Sequence, residues 1–97
     1  MNLSLKNKNV IACGSTDGIG EASALLMAER GASITLVARN KDKLNHTLSR
    51  LSTENNQKHF ILSVDFNETL ELEKKINKHI LEKIGVVNIL INNSGGP

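Results

Sequence analysis

The chain has 97 residues, a formal net charge of +2 and 39% hydrophobic against 23% charged residues, the balance of one ordinary globular domain and too mild a charge for a nucleic-acid face. One cysteine, Cys13, excludes an internal disulfide, and no apolar run nears the roughly 20 residues that span a bilayer. The opening MNLSLKNKNV lacks a signal-peptide core, so the expectation is a protein of the reducing cytoplasm, with no nucleic-acid or membrane partner.

Taken in chain order, short β-branched apolar runs alternate with longer amphipathic stretches, which predicts parallel strands joined by helices. Strands are expected at Asn9 to Cys13, Ser33 to Ala38, His59 to Val64 and Val86 to Asn92. These runs are apolar throughout, as suits a sheet covered on both faces. Helices are expected to start near Gly18, Lys41 and Glu68. The first carries Ile19, Ala22, Leu25 and Leu26 as its buried stripe and closes at Gly31. The second takes Asn40 as its cap and Leu44, Leu48 and Leu51 as its stripe; the third takes Asn67 as cap, Leu72, Ile76 and Ile80 as stripe, and Gly85 as its stop. The fold class is therefore α/β, a Rossmann-type parallel sheet in the order βαβαβαβ. The recurrence of strands does not mark leucine-rich repeats, because no unit reads L-x-x-L-x-L. With no Pro before Pro97 and no Gly/Ser linker, nothing divides the chain.

The stretch that points to chemistry is Gly14-Ser-Thr-Asp-Gly-Ile-Gly20, straight after the first strand and at a helix start. Gly14 allows a sharp turn, Gly18 leaves room for a pyrophosphate and Gly20 lets helix and strand approach, while Ser15, Thr16 and the residues Asp17 and Ile19 complete the loop. First-turn amides would face an anion. The spacing is G-x-x-x-G-x-G and no Gly-Lys-Ser/Thr follows, so a P-loop is excluded. A turn that merely joins strand to helix is the plainer alternative.

This loop resembles the T-G-x-x-x-G-I-G cofactor loop of the short-chain dehydrogenase/reductase family, and Asn92-Asn-Ser-Gly95 resembles that family's N-N-A-G element after the fourth strand. Cys13 stands where the family usually has Thr, and Ser94 where it usually has Ala. Val37-Ala-Arg-Asn40 and Gly95-Gly96-Pro97 resemble the 3-oxoacyl-acyl-carrier-protein reductase branch. The resemblance implies hydride transfer between a nicotinamide cofactor and a small-molecule carbonyl or alcohol, with a Tyr acid, a Lys four residues on and a Ser clamp. This chain contains no Tyr, so none of its residues takes a catalytic role.

Arg39 ends the second strand where an NAD enzyme places a carboxylate for the ribose, which favours the 2′-phosphate of NADP over NAD. The alternative is a solvated strand-end Arg. The resemblance puts Asp65 at the adenine amino group with Phe66 beside the ring; Asp65 reads equally well as an acidic turn residue before the helix. Asn92 and Gly95 would approach the cofactor at the end of the fourth strand, whereas Asn93 would tie strand ends together. His46, His59 and His79 share no metal-ligand spacing, and Cys13 reads as a small buried residue.

Residues 1–97 are thus expected to be an NADP-binding Rossmann half-domain, the catalytic half absent and the chain inactive alone, with self-association through an uncovered fourth strand. A free-standing, non-catalytic nucleotide-binding or partner-binding module is the alternative. A methyltransferase-like nucleoside binder is disfavoured by Arg39 in the place of a ribose acid.

Overall fold

The computed structural model describes residues 4–92. Its elements are β1 (Asn9–Cys13), α1 (Gly18–Glu29), β2 (Ser33–Ala38), α2 (Lys41–Arg50), β3 (Phe60–Ser63), α3 (Thr69–His79), which runs on into a π-helical turn (Ile80–Ile84), and β4 (Ile89–Asn92). The four strands pair in parallel in the order β3-β2-β1-β4. β1 lies between β2 and β4, as the expected α/β arrangement requires.

Alternation along β1 divides the core. Val10 and Ala12 join Ile34, Leu36, Ala38, Ala24 and Ala28 of α1, Leu44 of α2 and Leu51 just after it on one face. Ile11, Cys13, Val37 and Val64 form the other, covered by Leu72 and Ile76 of α3 and by Ile80 and Ile84 of the π turn. Both β1 and β2 are buried on both sides, which explains why they carry no polar alternation.

Three local expectations are corrected. The stripe of α1 that meets the sheet is Gly20, Ala24 and Ala28, at i, i+4 and i+8. Ile19 is 83% exposed and Leu26 51%, Ala22 is exposed and Leu25 only half-buried. Small side chains bring the helix axis close to the strands, and that phase turns the larger ones outward. Asn67 does not cap α3. Its backbone N–H donates to Asp65 Oδ1 at 2.9 Å, and Glu68 N–H donates to the Asp65 carbonyl at 2.9 Å, so an Asx turn at Asp65 launches the helix instead. The third and fourth strands are shorter than expected, at Phe60–Ser63 and Ile89–Asn92. His59 is diverted by its ring, whose Nδ1 accepts from Ile34 N–H at 3.0 Å while Nε2 faces the Ser52 carbonyl at 2.6 Å. Asn88 precedes β4 and accepts Asn9 N–H on Oδ1 at 2.7 Å.

The caps of α1 and α2 follow the sequence. Asn40 Oδ1 accepts from Lys43 N–H at 3.1 Å. Gly31 lies after α1 at φ 106°, and a Cβ there would come within 2.9 Å of Lys6 Cγ and 3.1 Å of Lys6 N, so both conformation and space demand glycine. Among the described residues no helix is long and apolar enough to cross a membrane.

His79 is buried between α3 and the sheet. Its Nε2 lies 2.8 Å from the buried Thr35 Oγ1, and its ring meets Phe60 edge-on at 4.8 Å. Burial, with the nearby Lys83 charge, pushes the imidazole below its usual 6.5. The unfolded chain therefore takes up a proton that the folded chain resists. Stability is full above about pH 6.5 and falls as pH drops from there through the lower folded-state value, flattening beneath it. Urea melts at pH 7.5 and pH 5 should show a larger loss for the native chain than for His79→Gln; equal losses would remove His79 as the cause.

β4 pairs with β1 alone among the described residues, and Leu90 on it is 64% exposed. No Pro or charge lies within Ile89, Leu90 and Ile91 to blunt that edge. The chain should self-associate with rising concentration in sedimentation, and Leu90→Lys should suppress this. A native chain that stays monomeric throughout the series would contradict the edge argument.

Candidate functional site

The site is built where β1 ends and the chain turns into α1. Gly14 N–H donates to the Val37 carbonyl at 2.7 Å, fastening the start of the loop to β2. Ser15 follows, fully buried, and its Oγ is a buried side-chain oxygen with no hydrogen-bond partner among the described residues. A buried hydroxyl left unmatched costs about 1–3 kcal/mol, so such an atom calls for a ligand or another function. Thr16 is half-buried, and Asp17, Gly18 and Ile19 face solvent.

The N-terminus of α1 is open. Asp17 stands at the cap position with extended backbone, φ −141° and ψ 153°, but its carboxylate makes no capping hydrogen bond. Oδ2 is held instead by Lys43 Nζ at 3.2 Å. The first turn closes with Glu21 N–H on the Asp17 carbonyl at 3.3 Å, which leaves the amides of Gly18, Ile19 and Gly20 without intrahelical acceptors. Gly18 has φ 57°, and a Cβ built on it would meet nothing within 4 Å. Open space beside free amides at a helix N-terminus suits a pyrophosphate. The residues present therefore fit a dinucleotide.

The topology places this loop at the point where the winding of the sheet reverses. The connection leaving β1 passes through α1 on one face to β2, whereas the connection reaching β4 passes through α3 on the other. Cys13 pairs in register with Asn92, so the carboxyl ends of β1 and β4 flank the point where the winding reverses. Asn92 is at that end of β4 and exposed. Gly95, with Asn93 and Ser94, lies outside the described residues.

Arg39 follows Ala38, the last residue of β2, and is exposed. Its carbonyl accepts from Ser63 Oγ at 2.9 Å, which pins its backbone to β3. Among the described residues no ion pair engages its guanidinium. Asp65 and Phe66 sit beyond β3. Asp65 is half-buried and supports the turn already described, while Phe66 packs against the core beneath α3. The structure thus shows the turn role of Asp65 directly. Cys13 is buried and burial pushes its thiol above the usual range, the opposite of what a nucleophile needs. Among the described residues no three His, Cys, Asp or Glu side chains gather as a metal site.

Sequence reading missed Glu21. Its carboxylate receives Thr47 Oγ1 at 2.7 Å and Arg50 Nη1 at 2.9 Å, joining α1 to α2. The partners stand 26 and 29 residues away, and only the folded arrangement brings them together. The acidic residue in the first turn of α1 is the one sequence signal that could have drawn notice to it.

Comparison with known proteins places this architecture. The chain is 34% identical over 96 residues to 3-ketodihydrosphingosine reductase of Bos taurus, covering 96% of this chain and 29% of that protein. It is 35% identical over 88 residues to the NADPH-dependent pterin aldehyde reductase of Arabidopsis thaliana, covering 91% and 35%. The crystal structure of L-sorbose reductase from Gluconobacter frateurii, complexed with NADPH and L-sorbose, superposes with a TM-score of 0.84 at 29% identity, over 99% of this chain and 36% of that one. The chain spans about a third of the length of these relatives. The short chain dehydrogenase profile matches residues 8–97, and with the paired sheet, the glycine loop and these likenesses it establishes that the chain belongs to the short-chain dehydrogenase family.

Proposed function

We propose that residues 1–97 are the NADP(H)-binding portion of an oxidoreductase that interconverts a carbonyl and an alcohol on a small molecule. The observation that carries the proposal is the buried Ser15 Oγ, without a hydrogen-bond partner among the described residues, beside the uncapped first turn of α1. Ser15 and Thr16, with the amides of Gly18, Ile19 and Gly20, hold the pyrophosphate. Gly14 and Gly18 keep side chains out of its path, and Asp17 helps anchor the loop through Lys43.

Arg39 reads the 2′-phosphate. A guanidinium with no ion pair at the end of β2, where the chain offers no ribose carboxylate, selects a phosphate by charge and by its forked donors. The NADPH named with two of the relatives supports the same choice. Asp65 and Phe66 border the adenine end beyond β3, and Asn92 the opposite end at the close of β4; Gly95 joins them on its sequence motif. When bound, the cofactor supplies the hydride. This chain's residues bind and orient it; the Tyr proton donor that the family resemblance implies has no counterpart here, since the chain has no Tyr.

Arg39→Asp should weaken NADPH binding by about 1.5–3 kcal/mol, the scale of a lost charge-assisted hydrogen bond, with a smaller change for NADH. Equal losses for the two cofactors would remove Arg39 from the 2′-phosphate. The purified 97-residue chain should bind NADPH yet turn over no carbonyl substrate, because general-acid catalysis worth roughly 10²–10⁴ and most of the positioning are missing. Oxidation of NADPH above a matched blank on addition of any ketone or aldehyde would overturn that expectation.

A further inference from the structure

We infer that a cavity at the amino ends of β1, β2 and β3 is a second ligand site, suited to a small molecule that carries a phosphate on an apolar body. Asn9, Ser33 and Phe60, the first residues of those strands, all line it, so it lies at the opposite end of the sheet from the glycine loop. Its volume is about 310 Å³, at the lower end of the roughly 300–1,000 Å³ usual for ligand pockets. The inference does not depend on the nucleotide reading.

The lining decides the chemistry. Lys58 and Lys83 belong to it and no carboxylate does, and neither lysine is in an ion pair among the described residues. Two ammonium groups around one recess repel each other and concentrate positive potential there, which an anion relieves. Neutral donors accompany them. Asn7 and Asn56 bring side-chain amides, and Ser33 Oγ accepts Lys58 N–H at 3.2 Å, which leaves its own hydrogen free to donate. That set suits the several oxygens of a phosphate monoester. The half-buried Phe60 and Ile84 supply an apolar wall, so a phosphate attached to a ring fills the recess better than a bare ion does.

The walls are fixed from outside the recess. Gln57 Nε2 donates to the carbonyls of Ala28 at 2.6 Å and Ala32 at 3.2 Å, and His59 Nδ1 accepts Ile34 N–H at 3.0 Å, so the chain is anchored on both sides of Lys58. Asn9 Nδ2 donates to the Ile84 carbonyl at 3.2 Å and ties the π turn, beside Lys83, to β1. Asn7 and Asn56 have left-handed backbone, φ 65° and 59°, the two non-glycine residues to do so among the described residues, and both line this one cavity. Such conformations persist where the surroundings over-determine them, and they gather at ligand sites. Walls already in place leave little ordering to be done on binding.

Phenyl phosphate is the probe, titrated calorimetrically into the chain at constant ionic strength with ADP in excess to occupy the glycine loop. It should bind at a single site. Lys58→Met and Lys83→Met should each weaken it roughly fivefold or more, and the double exchange should abolish measurable binding. Both lysines are exposed, so neither exchange removes core packing. Lys74→Met, at an exposed lysine of α3 outside the cavity, should change nothing. Inorganic phosphate and phenol should each bind roughly tenfold more weakly than phenyl phosphate, for want of the apolar wall or of the lysines. ADP affinity should be the same in every variant. Absence of binding once ADP is present, an equal loss in Lys74→Met, or equal affinity for inorganic phosphate would each overturn the inference and leave the nucleotide reading untouched.

Discussion

The close approach of α1 to β1 is the constraint on which the site depends. Gly20, Ala24 and Ala28 present almost no side chain to the sheet, and Val10 and Ala12 beneath them are completely buried. That short spacing lets β1 run straight into the glycine loop and bring the open end of the helix over the strand ends. A larger residue at Gly20 would lift the helix start, because a packed interior has no slack to absorb it. The dipole end and the free amides would move with it. The same residues thus build the core and aim the anion-binding turn.

The division of the core into two faces then decides where a ligand can lie. α1 and α2 occupy one face and α3 the other, so the winding reverses at β1 and β4, whose carboxyl ends pair through Cys13 and Asn92. That switch point is a consequence of connectivity and needs no special residue. What the sequence adds is chemistry at the rim: Ser15 and Thr16 from the loop, Arg39 from the end of β2 and Asn92 from the end of β4. Each comes from the end of an element whose backbone is held by neighbours, which suits a site that must meet an extended ligand at several points.

Much of this was legible in the residues. β1 and β2 have the predicted bounds because their apolar runs are interrupted sharply by Gly14 and by Arg39. Asn40 caps α2 because Asn supplies a short acceptor at the helix start, where the first-turn amides have no intrahelical partner. The misreadings share a cause. Hydrophobic size was taken for burial in α1, where Ala and Gly make the interface and Ile19 looks outward. Capping was given to Asn67, although Asp65 two residues earlier already satisfied the amides that start the turn. His79 and Glu21 were invisible for another reason: their partners, Thr35 and Thr47, are remote in sequence, and single polar residues on a helix give no periodic signal.

The charges around the loop follow a consistent logic. A carboxylate at Asp17 stands at the mouth of an anion site, where it would repel a pyrophosphate across a short distance. Lys43 lies 3.2 Å from it, and the pair is neutral as a unit. Asp17 therefore contributes an anchor between the loop and α2 at little electrostatic cost to the ligand, and Lys43 is occupied as its counter-ion. Glu21, one turn further along α1, is matched in the same manner by Arg50 and by the Thr47 hydroxyl. Both acids near the nucleotide are thereby silenced by bases from α2, while Arg39 has no acidic partner among the described residues. With these two acids matched in pairs, the Arg39 guanidinium at the end of β2 is left without an ion pair among the described residues. In the NADP reading proposed above, selectivity for a phosphorylated ribose would arise from what has been neutralised around the site as much as from the guanidinium itself.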